Sequence, residues 1–293
     1  MTHRTLPFWR SLLYVPANNE RFTGKAGQRG ADAVILDLED SVPPAQKEEA
    51  RGAMIAAVEH LKDAPCDLLV RINAPLRLAV RDLEAAIRPG VSGILVPKTE
   101  TAGALQALDA MVSELEDEAG MTPGSTMFLP LLETPDSLFE ARAIAKATPR
   151  NVALLLGSED IATECGFTPS GETLMHPKLQ VAFAAKAAGI LALGLLDSIA
   201  AIADEAASVE VARRSVRFGF DGATCVHPGM VPILNAAFAP DEAEVDLARR
   251  TIAAMEAAWA EGKGAARLDG RMIDKPMIAR AQATLAKAER LAS

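Results

Sequence analysis

The chain has 293 residues, of which 49% are apolar and only 4% aromatic, so its core is built mainly from Ala, Leu, Ile and Val. That composition suits helices packed around a parallel sheet, and the length admits either two average domains or one α/β barrel. A net charge of -9 argues against a general nucleic-acid binder, which needs a basic surface to neutralise phosphates.

No apolar run reaches the roughly 18 residues that span a bilayer. The opening stretch MTHRTLPFWRSLLYVP lacks a signal-peptide core followed by a small-residue cleavage site, so a cytoplasmic protein with no membrane partner is expected. Three cysteines, Cys66, Cys165 and Cys225, with no CxxC pair, argue against a disulfide framework and against a zinc site.

In chain order, apolar runs of strand length recur at SLLYVP (11–16), AVILDLED (33–40), DLLVRIN (67–73), GILVPK (93–98), MFLPLLE (127–133), VALLLGSED (152–160), ILALGLLDS (190–198) and GATCVHP (222–228). Between and after them, residues 19–30, 45–62, 76–88, 102–119, 137–147, 177–188, 204–218 and 229–237 are mostly Ala-rich, with apolar side chains at helical spacing. Eight strand-helix alternations predict a TIM (β/α)8 barrel over residues 1–240, because doubly wound sheets usually stop at five or six strands. Residues 241–293 form a C-terminal helical extension: an amphipathic helix from DEAEVDLARRTIAAMEAAWAEG, the Gly-rich KGAARLDGRMID and a last helix opened by Pro276. It reads either as packing or an oligomer contact, or as a lid that carries Asp274 over an active site.

Every predicted strand ends in polar residues: Asn18 and Asn19, then Asp37, Glu39 and Asp40, then Arg71 and Asn73, then Lys98, Glu133, Asp160, Asp197 and His227. In barrel enzymes that rim is the active-site face. Glu133 and Asp160 close consecutive strands, and carboxylates without a Cys or His cluster suit Mg2+ or Mn2+. Helix capping or a strand-end ion pair explains them equally. Arg71 is either a clamp for a substrate carboxylate or a buried arginine paired with a rim acid. The Asp37-Leu38-Glu39-Asp40 set offers a partner for metal-bound water, or plain salt bridges at the barrel mouth. Arg21, Lys25 and Arg29 recur every four residues, a positive helix face that suits either phosphate or solvent. His3 and His60 read as surface residues, and His176 and His227 as structural residues on loops. The absence of GxGxxG, P-loop, GxSxG and HExxH patterns removes the commonest dinucleotide, nucleotide, serine-hydrolase and zinc-protease readings.

Taken together, RSLLYVPANNERFTGKAGQRGADAVILDLEDSV, LLVRIN, GILVPK, LLET, LLLGSED, GFDGATCVHP and RMIDKP resemble the citrate lyase beta-subunit-like branch of the HpcH/HpaI aldolase family. The resemblance implies a TIM barrel, usually a homotrimer or hexamer, that cleaves or forms a carbon–carbon bond in a 3-hydroxyacyl-CoA thioester with Mg2+. It places Glu133 of LLET and Asp160 of GSED at the metal, with Glu133 also facing the substrate. Arg71 of VRIN takes the position that binds the substrate and assists catalysis. Asp274 of RMIDKP takes the place of a catalytic aspartate on a lid, often offered to a neighbouring subunit. The NNERFTGK segment resembles the part that meets coenzyme A, which makes Arg21 and Lys25 its candidate contacts. Two rival readings carry over: a malyl-CoA-type thioesterase, and a citrate lyase beta-like subunit that depends on an acyl carrier protein. After LLET, Pro135-Asp136-Ser137 stands where relatives often have a small, Gly-containing turn, so the acid part of the substrate is expected to be held differently.

Overall fold

A computed structural model describes residues 5–197 and 204–292; His3 and the last predicted residue of the seventh strand, Ser198, lie outside them. The chain divides into two compact units, Met1–Asn235 and Ala236–Ser293.

The first unit alternates strands and helices. Its strands are β1 (Ser11–Pro16), β2 (Ala33–Asp37), β3 (Asp67–Arg71), β4 (Gly93–Val96), β5 (Met127–Leu132), β6 (Ala153–Leu156), β7 (Leu191–Leu193) and β8 (Ala223–Cys225). Its helices are α1 (Glu20–Ala26), α2 (Lys47–Leu61), α3 (Leu76–Ala86), α4 (Ala102–Glu118), α5 (Pro135–Phe139), α6 (Ala141–Ala145), α7 (Ser158–Cys165), α8 (Met175–Ala188) and α9 (Glu205–Arg217), with α10 (Met230–Phe238) crossing into the second unit. All eight strands pair in parallel in the order β7-β6-β5-β4-β3-β2-β1-β8. A bridge between Leu193 and Gly222, with the Gly194 N–H donated to the Gly222 carbonyl at 2.9 Å, nearly closes the sheet on itself. This is the expected TIM-like barrel.

Every second strand residue points into the barrel, so Leu12, Ile35, Leu69, Leu95, Leu131 and Leu155 meet in one buried cluster. One period of two further along, the same inward faces carry Tyr14, Asp37, Arg71 and Glu133. The apolar layers therefore set the phase that delivers the polar rim. After β1, the strands stop sooner than the apolar runs suggest: Leu38 follows β2, Glu133 follows β5, and Gly157 and Gly194 follow β6 and β7.

Asp160 differs from its expected place at a strand end: β6 stops at Leu156, and Asp160 lies in the first turn of α7, beside Glu159. Two carboxylates there suit the positive end of a helix dipole. His176 likewise lies not on a loop but in the first turn of α8, where Pro177 is tolerated. The predicted helix over 137–147 is two short ones, α5 and α6.

The second unit holds α11 (Glu242–Ala260), an antiparallel hairpin of β9 (Ala266–Leu268) and β10 (Arg271–Ile273), and α12 (Lys275–Ala292). Asp269 and Gly270, both at positive φ (50° and 78°), make the tight turn of the hairpin. The two helices pack on each other, and Arg250 pairs with Asp269 at 2.6 Å. Among the described residues no helix is long and apolar enough to cross a membrane, and the three cysteines are free.

Candidate active site

A cavity of ≈ 520 Å³ opens where β1, β2, β3, β5 and β6 end, and Tyr14, Asp37, Arg71, Glu133 and Asp160 line it. Three of the sequence-predicted site residues, Arg71, Glu133 and Asp160, are thus brought together. Arg21 and Lys25 are exposed on α1 and do not line this cavity. Phe22 and Ala26 of the same helix, with Arg29 in the turn beyond its end, border a separate cavity of ≈ 340 Å³ with Val226, His227 and Pro228. Asp274, in the second unit, is exposed, and its carbonyl accepts the Met277 N–H at 3.1 Å at the start of α12.

Arg71 is fixed from three sides. Its Nε and Nη2 each donate at 2.7 Å to the two carboxylate oxygens of Asp37, a bidentate pair. Nη1 donates to Asp40 at 3.1 Å and lies 2.9 Å from Glu39. Its guanidinium also stacks 5.0 Å from the centre of the Tyr14 ring. Arg71 is thus paired with rim acids, and it also lines the cavity. Burial pushes the Asp37 carboxyl up, but the Arg71 hydrogen bonds and charge outweigh it and hold Asp37 below its ordinary value. Glu39 gains less from Arg71. Its burial, with Asp40, Glu133 and Asp37 nearby, raises it to about 8.

Glu133 follows β5 and is only 3% exposed. Its Oε2 accepts the backbone N–H of Lys98 at 2.7 Å, and its other face lies against Gly157. A Cβ at Gly157 would sit 2.5 Å from Glu133 Cγ, so only glycine leaves room for the carboxylate there. Burial raises Glu133 to about 7; the charge of Asp160 adds to this, and the Lys98 N–H and the Arg71 and Lys98 charges oppose it. Lys98 Nζ lies 3.3 Å from Asp160 Oδ1.

Among the described residues no group of three or more His, Cys, Asp or Glu converges as a metal cage. A transition-metal site of the zinc type therefore does not fit. Mg2+ does fit, since it is held by one or two carboxylates and completes its shell with waters and substrate oxygens. A buried carboxylate whose charged form is disfavoured, beside a second carboxylate, is a donor set that a hard cation relieves.

Pro135 stands at the first position of α5, where its missing N–H is harmless. Thr134 and Ser137 cap that helix reciprocally, and Asp136 is exposed. Tyr14 and Gly157 escaped the sequence reading. Tyr14, the single tyrosine of the chain, shares the inward phase of Leu12, and that phase was the available signal.

The family model for HpcH/HpaI aldolase/citrate lyase matches residues 10–228. The chain is 36% identical over 285 residues to the citrate lyase subunit beta of Escherichia coli K12, covering 96% of this chain and 93% of that protein. It is 35% identical over 297 residues to a (3S)-malyl-CoA thioesterase of Cereibacter sphaeroides, covering 100% and 99%. Among solved structures, CitE of Mycobacterium tuberculosis in complex with magnesium, acetoacetate and coenzyme A aligns with a TM-score of 0.72 at 32% identity, over 95% of this chain and 97% of that one.

Proposed function

The chain belongs to the HpcH/HpaI aldolase/citrate lyase family, and on that premise we propose that it is a Mg2+-dependent carbon–carbon lyase. Its substrate is a 3-hydroxyacyl-CoA thioester of malyl, citramalyl or citryl type, split to a shorter acyl-CoA and a 2-oxo acid. The observation that carries this reading is the single cavity in which Glu133, Asp160 and the Asp37-braced Arg71 meet. The magnesium and coenzyme A bound by CitE support it.

Glu133 and Asp160 would hold the cation, with Mn2+ as its substitute; when bound, it supplies Lewis acidity and a fixed charge at the acid end of the substrate. Arg71 has five N–H donors; three are engaged by Asp37 and Asp40, and Glu39 lies 2.9 Å from Nη1. The second Nη2 donor serves the substrate's carboxylate or oxo oxygen and stabilises the charge that develops there as the bond breaks. The substrate's 3-hydroxyl gives up its proton to solvent as it becomes the 2-oxo carbonyl, the bond to the α-carbon breaks and the shorter acyl-CoA leaves as its enolate; Asp274 gives a proton to the enolate carbon, or removes it in synthesis. Arg21 and Lys25, on the exposed face of α1, meet the coenzyme A phosphates. A homotrimer or hexamer, with Asp274 offered to a neighbouring subunit, belongs to the same proposal.

Hydrolysis of the thioester is a second reading, favoured by the full-length match to malyl-CoA thioesterases. A third, a beta-like subunit acting with an acyl carrier protein, is favoured by the match to citrate lyase beta subunits. The purified protein, given malyl-, citramalyl- and citryl-CoA with Mg2+ or with a chelator, separates the three. Shorter acyl-CoA and 2-oxo acid in equal amounts, lost with the chelator, support the lyase; free CoA marks a thioesterase. Activity restored only by a carrier protein marks the subunit, and no activity on any of the esters, with or without the carrier protein, rejects all three.

A further inference from the structure

Lys98, in the turn two residues past the end of β4, has φ +46°, one of two non-glycine residues at positive φ among those described. That conformation costs an L side chain on the order of 1 kcal/mol, and glycine would adopt it freely. Such a residue persists where its surroundings over-determine it. Here they do: the next residue, Thr99, donates its N–H to the Leu131 carbonyl at 3.0 Å and its hydroxyl to the Val96 carbonyl at 2.9 Å. The other such residue, Asp269, is explained by its hairpin turn, and Lys98 is in no hairpin.

The turn does two things at once. It aims the Lys98 N–H at Glu133 Oε2, 2.7 Å away, and it brings the ammonium to Asp160 Oδ1 at 3.3 Å. One residue thereby touches both carboxylates assigned to the cation. The other acids near its side chain, Glu39, Asp40 and Glu100, share the neighbouring cavity with it, and none of them pairs with it as Asp160 does.

We infer that Lys98 is a tethered counter-ion for the cation site: its backbone fixes Glu133, and its ammonium holds Asp160 in the place where a divalent cation takes it, then yields that place. This rests on the proposed function for the assignment of the two carboxylates, and it adds a positioning residue that competes with the metal. A unit positive charge within a few ångströms of a dication opposes binding by an amount that survives solvent screening at this half-exposed position. Removing it therefore tightens the site, the reverse of what loss of a ligand does.

The test is calorimetric titration of Mg2+ into the substrate-free protein, wild type against Lys98→Met, Lys98→Gly and Lys98→Arg. Lys98→Met should bind Mg2+ about three- to tenfold more tightly, with the gain shrinking as sodium chloride is raised. Lys98→Gly, which also relieves the backbone turn and so keeps the fold, should show the same gain. Lys98→Arg, which keeps the charge, should stay within about twofold of wild type. Unchanged or weaker binding in Lys98→Met and Lys98→Gly overturns the counter-ion role while leaving the metal site intact. A wild type that takes up no Mg2+ at millimolar concentration overturns the site assignment itself, and the counter-ion role with it.

Discussion

Asp37 and Arg71 form a bidentate ion pair, both contacts at 2.7 Å, between the ends of the adjacent strands β2 and β3. The register that pairs residue 37 with residue 71 sets the two side chains opposite each other, and the shared inward phase turns both to the cavity. The pair aims the guanidinium edge that remains. Lysine keeps the charge but cannot reproduce the fork. Arg71→Lys is expected to lower kcat by about 100-fold or more, the size seen when one transition-state donor is lost, with Mg2+ affinity nearly unchanged. Asp37→Asn should fall less far, since Asp40 and Glu39 still flank the guanidinium. Steady-state kinetics on the thioester that proves active, with calorimetry for the metal, measures both.

Gly157 faces Glu133 so closely that a methyl group has no place, although its own backbone, at φ -77°, suits any residue. The glycine is thus a matter of room, not of conformation. Gly157→Ala should push the Glu133 carboxylate aside, weaken Mg2+ binding by about tenfold or more, and shift the melting temperature only modestly. A variant that binds Mg2+ as wild type does would detach Glu133 from the metal.

Glu133 and Glu39, raised by burial to about 7 and about 8, titrate near 4.5 in the unfolded chain. The folded protein therefore holds protons that the unfolded chain has already lost between those values. The stability contributed by these groups is full below about pH 4.5 and is lost as pH rises through 7 and 8. The melting temperature of the metal-free protein should fall over that window by more than it does in Glu133→Gln. The stabilising shift caused by Mg2+, which must displace the proton from Glu133, should grow over the same window. Thermal melts from pH 5 to 8.5, with and without Mg2+, read both; identical slopes for wild type and Glu133→Gln would contradict the assignment.

The barrel was legible because each strand is a short apolar run and the number of runs matches the fold, and the rim was legible because polar residues punctuate every run. What escaped depends on contacts distant in sequence. Gly157 reads as a turn residue until the pairing of β5 and β6 sets it against Glu133. Lys98 reads as an ordinary strand-end lysine, since no local pattern announces a left-handed backbone at that residue type. Arg150, fully buried, binds Glu116 at 2.7 Å and also Asp109, across 34 and 41 residues of chain, and neither acid stands out from a solvated helix face in the sequence. α7 was hidden because GSED continues an apolar run, and its helical character emerges only with the first-turn acids in place. The Asp269-Gly270 turn, by contrast, is a readable hairpin signal within the Gly-rich stretch 263–274.

Asp274 separates the chemistry of the bond from the binding of its acid fragment. If it transfers the proton at the enolate carbon, its charge-neutral amide should abolish turnover, since general acid–base groups contribute about 100- to 10,000-fold. Glu133, Asp160 and Arg71 are untouched by the change, so Mg2+ and a 2-oxo acid should bind Asp274→Asn as they bind wild type. Exchange of the acyl-CoA α-hydrogens with deuterated solvent, followed by mass spectrometry in the absence of the 2-oxo acid, isolates the proton transfer. It should occur with wild type and vanish in Asp274→Asn. A variant that retains full turnover and exchange would remove Asp274 from the mechanism and leave the extension as packing. Loss of 2-oxo acid binding along with turnover would make Asp274 a binding group, with the proton carried by another residue.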